Sequence, residues 1–188
     1  MYLGMVIVVN TVMLVLSSVI IVCLILIILI ATYNHFQDYI IRINEADVNI
    51  DAVLRKRFDL LNKSVGIIKN NTDTEEQILE ILEKIRSKKL NNFELDRYLY
   101  EAINEFHALK EKYPILQENK EFIKTEINLI ESESEIVGLR KYYNDIITDY
   151  NKLVKNCPSN FVALLKGYKS KDYFDGHNID EEKGAVKL

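Results

Sequence analysis

Charge is missing from the first thirty-seven residues of this 188-residue chain: no Asp, Glu, Lys or Arg precedes Asp38. All 24 basic and 28 acidic residues therefore lie in the remaining 151 positions. Helix breakers are scarce as well, with six Gly and two Pro, and there is no Trp. Leu, Ile, Glu, Lys and Asn dominate instead, a composition that favours long helices over a turn-rich β fold. The two cysteines, Cys23 and Cys157, lie far apart in the chain with no C-x-x-C or metal-ligand spacing, which argues against a disulfide framework or a zinc site. His35, His107 and His177 occur singly, and the Glu-x-x-His pattern of metal sites in helical bundles is absent, so no cofactor or metal ligand set is expected. A net charge of −4 with interleaved signs leaves no basic stripe, which disfavours nucleic acid as a partner.

What is present begins with Val12 to Ala31, a run of twenty uncharged residues. As a helix it rises about 30 Å, the thickness of a hydrocarbon core. Ser17 and Ser18 do not spoil such a span, because their hydroxyls can return to the backbone. A cleaved signal peptide fits less well. The N-terminus has no basic residue, the apolar run is too long, and Leu29 occupies the place of a small residue before the cleavage point. The run is expected to be an uncleaved anchor whose partner is the lipid bilayer. Orientation has little to rest on, since Arg42 is the only Lys or Arg within twenty residues beyond Ala31. The short uncharged N-terminus favours an outside N-terminus and a cytoplasmic body.

The domain reading is an N-terminus and span over 1–31, a helical body over 32–168 and a loosely ordered tail over 169–188. In the body, apolar residues at helical spacing continue the first helix from Tyr33 through Ile40, Ile41, Val48, Leu54, Phe58, Leu61 and Val65 to a stop at Asn70-Asn71. Thr74-Glu75-Glu76-Gln77 has the pattern of a capping box and opens a second helix through Ile78, Leu82 and Ile85. Asn91 with Glu94 starts either a third helix or a kinked continuation, carrying Leu95, Tyr98, Leu99, Ala102, Phe106 and Leu109. Pro114 ends it through Tyr113, Asn119 caps the next helix to about Asn156, and Ser159 caps a short last helix through Leu165. Tyr173-Phe174 could dock from the tail. Long helices with short connections predict an all-α fold, an antiparallel up-down four-helix bundle behind a transmembrane helix. No heptad is regular enough to predict an extended coiled coil, and no solenoid repeat is evident.

The fourth long helix carries Phe122, Leu129, Ile136, Tyr143 and Tyr150 every seven residues, joined by Ile123, Ile130, Val137, Ile147 and Val154. Glu126, Glu133, Arg140, Asn144 and Asn151 fall within that apolar face. Asn44, Asp51, Arg55 and Asn62 share the side of Val48, Leu54, Phe58 and Leu61 on the first helix in the same way. Both signs of charge facing a core predict a paired network that fixes helix register, since unpaired buried charge is costly. Loss of Arg140 should then lower the melting temperature. The sharper alternative is a catalytic or ion-binding site built on carboxylates.

The same residues carry a family resemblance. Glu133-x6-Arg140-x2-Tyr143-Asn144-x5-Tyr150-Asn151, followed by Pro158-Ser159, resembles the signature of the bacterial LemA family. Tyr113-Pro114-x-Leu116-x2-Asn119-x2-Phe122 precedes it. Tyr33-Asn34, Ile50-Asp51, Arg57-x-Asp59-Leu60, Glu76, Arg86 and Tyr173-Phe174 fall in the family's order too. One departure is the missing proline after the Arg-x-Asp-Leu element, where Leu61-Asn62-Lys63 continues and leaves the first helix straighter. The resemblance implies a single-pass membrane protein with a short outside N-terminus and a cytoplasmic four-helix body. It supplies no enzymatic activity and no catalytic residue.

Three functions compete at this point. The first is a non-enzymatic, membrane-tethered module whose helical surface recruits a protein partner. The second is an enzyme in the polar core, with Glu126, Glu133 and Asp51 as acid–base groups and Arg140 as an anion clamp. The third is a self-associating sensor or structural protein that packs through Ser17 and Ser18 in its span.

Overall fold

The computed structural model describes residues 2–72 and 76–174 and is all-helical, with six α-helices among the described residues. They are α1 (Tyr2–Asn71), α2 (Glu76–Ser87), α3 (Asn92–Lys112), α4 (Pro114–Glu118), α5 (Lys120–Lys155) and α6 (Ser159–Lys166). The first helix runs unbroken from the apolar segment into the charged one and stops at the expected Asn71. From Asn10 to Ile28 every side chain on it is exposed within the protein. The hydroxyls of Ser17 and Ser18 donate to the carbonyls of Leu14 and Val15 at 2.9 and 2.8 Å, so the apolar segment carries no unsatisfied hydroxyl there.

The elements end where local chemistry ends them. Asn91 opens α3 as a new helix with a reciprocal cap. Its Oδ1 accepts from the Glu94 amide at 2.9 Å, and the Glu94 carboxylate accepts from the Asn91 amide at 3.1 Å. Tyr113 is extended ahead of Pro114, which closes α3 and starts the single turn of α4. Asn119 Oδ1 then accepts from the amides of Glu121 and Phe122 at 3.0 and 3.1 Å and opens α5. Ser159 does not cap α6. Its hydroxyl donates backward to the carbonyls of Leu153 and Asn156, at 2.6 and 2.8 Å, and so joins α6 to the end of α5. Gly167 closes α6 in the left-handed conformation, φ 70°, which only glycine adopts without cost. The expected cap at Thr74 and Glu75, together with His177 and the tail beyond Phe174, lies outside the described residues.

Two compact units emerge. The first takes its described residues from Met1–Ile41 and Thr148–Lys171, the second from Arg42–Ile147 and Asp172–Leu188. In the first unit Phe36 is fully buried against the rings of Tyr150 and Tyr168, with centroids 5.9 and 4.8 Å away. Gln37 Nε2 donates to the Tyr168 hydroxyl at 2.7 Å, and Lys166 Nζ lies 5.1 Å from the centre of the Tyr33 ring. Asn151 presents both halves of its amide to the backbone of Lys171, donating to its carbonyl and accepting from its amide, each at 2.8 Å.

In the second unit the buried side of α1 differs from the expected one. Ile43, Ile50, Arg57 and Ser64 are buried at seven-residue intervals, with Ala46, Val53, Leu54 and Leu61 beside them. Val48, predicted to be core, is 66% exposed, and Asn44, Arg55 and Asn62 also face solvent. On α5 the predicted ladder of Phe122, Leu129, Ile136 and Tyr143 is buried, but its expected companions Ile130 and Val137 are more than half exposed. Small hydroxyl residues take the inner positions instead. Ser64, Thr125 and Ser132 are buried, and each hydroxyl donates to a carbonyl three or four residues back on its own helix, at 2.6, 2.9 and 2.7 Å. A hydroxyl satisfied by its own helix needs no partner across the core, so size decides the site and hydropathy does not. Phe106 stacks on Phe122 with centroids 4.2 Å apart, and Phe93 and Tyr143 pack on Phe174, whose amide donates to Asn144 Oδ1 at 2.7 Å. Tyr173 and Phe174 thus dock as anticipated, at 9% and 3% exposure.

Candidate functional site

The densest polar chemistry lies in the second unit, where α1, α3 and α5 each contribute a charged side chain to one cluster. Arg57 of α1 is 1% exposed. Its Nη1 donates to Asp96 Oδ1 of α3 at 3.4 Å, and its Nη2 donates to Glu133 of α5. Arg140, two turns further along α5, donates to the other oxygen of Asp96 and lies over the Phe174 ring at 5.5 Å. The order Glu133–Arg57–Asp96–Arg140 alternates two cations with two anions, so the quartet is electrically neutral. The ring of Phe174 covers one face of Arg140 and shields it by a cation–π contact. Among the described residues Arg57 Nε and Arg140 Nε are buried without a hydrogen-bond partner.

The sequence-predicted polar residues divide between this cluster and other places. Glu133 and Arg140 enter the quartet as expected. Glu126 does not; its carboxylate is held by Lys110 Nζ at 2.7 and 2.8 Å, with His107 Nδ1 3.7 Å away. Asp51 and Arg55 pair with each other, one helical turn apart on the surface, and Asn62 accepts from Arg86 at 2.7 Å. Asn144 and Asn151 hold backbone near the C-terminus rather than charge. The centre of the cluster is Arg57, which the sequence offered only through the Arg57-x-Asp59-Leu60 element and not among the polar core residues, and Asp96, which sequence reasoning missed. Arg57 was legible in principle, since it continues the seven-residue spacing of Phe36, Ile43 and Ile50. Asp96 carries no comparable signal, lying between the apolar Leu95 and Leu99.

A second feature of the same unit is a surface groove of about 330 Å³ where α1, α2 and α3 meet. Arg55, Arg86, Lys88 and Lys89 line it with a single acid, Asp51, and Phe58 and Leu95 are among its apolar residues. The guanidinium of Arg86 lies over the Phe58 ring at 5.7 Å. Among the described residues no group of three His, Cys, Asp or Glu side chains is placed to hold a metal ion.

Comparison with known families gives a match to the LemA family over residues 46–188, more than half of the chain. The chain belongs to the LemA family. Two curated proteins of Paramagnetospirillum magneticum (strain ATCC 700264 / AMB-1), magnetosome protein MamQ 2 and magnetosome protein MamQ 1, are each 30% identical over 73 residues. That stretch is 39% of this chain and 27% of either relative, so the chain spans about a quarter of the length of the curated proteins it matches. The residues of the LemA-like motif now have physical roles. Glu133 and Arg140 belong to the charge quartet, Asn144 and Asn151 hold Phe174 and Lys171, and Tyr143 and Tyr150 are buried ring contacts. Burial pushes both phenols above their ordinary range, with Asp47 and Asp172 adding to the effect at Tyr143 and Tyr168 at Tyr150. In this LemA family chain these motif residues pack rings, pair charges and hold the backbone of Lys171 and Phe174.

Proposed function

We propose that this protein is a single-pass, membrane-anchored interaction module without catalytic activity, its helices packed as an antiparallel bundle on the cytoplasmic side. The observation that carries this reading is the change of environment along α1. One uninterrupted helix exposes every apolar side chain from Val12 to Ile28 and then, from Phe36, buries a regular face in protein. An apolar surface of that extent is expected to be covered by lipid. Among the described residues this is the one helix long and apolar enough to cross a membrane.

A non-catalytic body is supported by the engagement of each candidate carboxylate. Glu126 is held by Lys110, Glu133 by Arg57 and Asp51 by Arg55, so none is poised as a free base. The groove at Arg55, Arg86, Lys88 and Lys89 is the surface offered to a partner. Its chemistry fits an acidic protein segment with an apolar side chain to set against Phe58 and Leu95.

Cross-linking in intact membranes, followed by mass spectrometry of what is attached to the tagged full-length protein, tests this reading. A discrete partner linked through an acidic segment, and lost on the double change Lys88→Glu and Lys89→Glu, is the expected result. Links between copies alone would replace the adaptor with a structural oligomer. Retention of the partner by the double variant would remove the groove from the account.

A further inference from the structure

Among the described residues the outer face of α6 has no partner. Phe161, Leu164 and Leu165 are 60%, 81% and 78% exposed, while Val162 and Ala163 on the opposite face are buried. This helix is fixed to α1 within the first unit at a definite level. Lys166 lies over Tyr33, and Tyr168, just after the helix, bonds Gln37 and packs on Phe36. Tyr33 is two residues past the end of the apolar run and Gln37 six, so these contacts fall about 3 to 9 Å beyond Ala31 along a helix of 1.5 Å rise. The interfacial layer on each side of a hydrocarbon core is about 5–7 Å thick. The C-terminal end of α6, at Lys166 and Tyr168, is therefore held within about one interfacial layer of the end of the apolar run, and Leu164 and Leu165 lie immediately before it.

Charge points the same way. Thr148–Lys171 contains five lysines, Lys152, Lys155, Lys166, Lys169 and Lys171, against the single acid Asp149, in a chain whose net charge is −4. All five are exposed. Lys166 ends α6 and Lys169 and Lys171 follow it, so exposed apolar side chains stand beside exposed cations. By that pairing an interfacial helix sets its apolar face among the upper acyl carbons and nearby cations among anionic headgroups.

We propose that α6 is a second membrane contact, a short interfacial helix that inserts Phe161, Leu164 and Leu165 into the leaflet from which α1 emerges. This rests on the reading of α1 as a span. It adds that the protein is held to the bilayer by a surface as well as by a rod, and that the surface selects anionic lipid.

The absence of Trp makes the test direct, because any introduced indole is the only one. Full-length Phe161→Trp, Leu164→Trp and Leu24→Trp variants are reconstituted separately in vesicles of phosphatidylcholine and phosphatidylglycerol. Their emission is read with lipids brominated near the glycerol or near the chain ends. The span control, Leu24→Trp, should be quenched most by deep bromines. Phe161→Trp and Leu164→Trp should be blue-shifted and quenched most by shallow ones. Quenching of Leu24→Trp with water-like, unquenched emission from both α6 variants overturns the α6 proposal and leaves the span intact. A blue shift at α6 without quenching overturns it as well, and assigns the face to a protein neighbour. If Leu24→Trp is itself unquenched, the spanning reading fails and α6 falls with it.

Discussion

Arg57 is the residue on which the second unit depends most, for it is fully buried and engages carboxylates from two other helices. Replacing it with methionine leaves Glu133 without its partner in the cluster and Asp96 with Arg140 alone. The expected loss is about 3–5 kcal/mol, the range for breaking a buried pair by removing one member. Arg140→Leu should cost less, about 1–3 kcal/mol, since Arg57 still holds Asp96 and the Arg140 side chain is 23% exposed. Chemical denaturation of both full-length variants in detergent, followed by circular dichroism, checks the order, and equal midpoints would refute it. Tyr143 and Tyr150 give a second test at this scale. Their phenols are raised by burial, so above about pH 10 the folded chain binds more protons than the unfolded chain. Stability from this source is complete below about pH 10 and is lost as pH rises through the folded values. Tyr143→Phe should therefore flatten the alkaline limb of a stability profile without moving the neutral part. Sequence pattern showed that charge enters the core but named Arg55 in place of Arg57. Hydropathy cannot distinguish those neighbours, because the long stem of an arginine can be buried at either position.

Helices and their ends were the more legible scale. The stop at Asn71, the reciprocal cap of Asn91 and Glu94, the break at Pro114 and the Asn119 cap are all short-range chemistry, written within four residues of where they act. The single turn of α4 was missed because five residues carry no period. The inner face of α5 was half legible: the ladder from Phe122 to Tyr143 is buried, while Ile130 and Val137 give way to Ser132 and Thr125. A hydroxyl that bonds its own helix counts as polar in sequence and as small in a core. At the end of α6, Gly167 has open space where a Cβ would stand, but its φ of 70° is unfavourable for any other residue. Gly167→Ala should therefore destabilise the first unit through backbone strain, by about 1 kcal/mol. Faster hydrogen exchange in α6, with the core of α3 unchanged, is the expected signature.

Across the whole chain, a helix long and apolar enough to cross a membrane was legible in the charge-free segment, whereas orientation was not, because the positive-inside count along the sequence found only Arg42. In the first unit Lys166, from more than a hundred residues downstream, lies over the Tyr33 ring just past the apolar run. A cytoplasmic body predicts a simple labelling result. Cys157 is exposed and unpaired, so an impermeant maleimide should leave it unlabelled in intact cells and modify it once the membrane is opened. Labelling in intact cells would invert the topology.

The amide of Asn151 meets the main chain of Lys171, not its side chain, as one rung of a β-ladder would. Such a contact is indifferent to which residue stands at 171 and sensitive to how many residues precede it. Variation should therefore be tolerated in letters and refused in length over Gly167 to Lys171. Lys171→Ala would pass unnoticed by the fold, and deletion of Ser170 would shift a different peptide unit against Asn151.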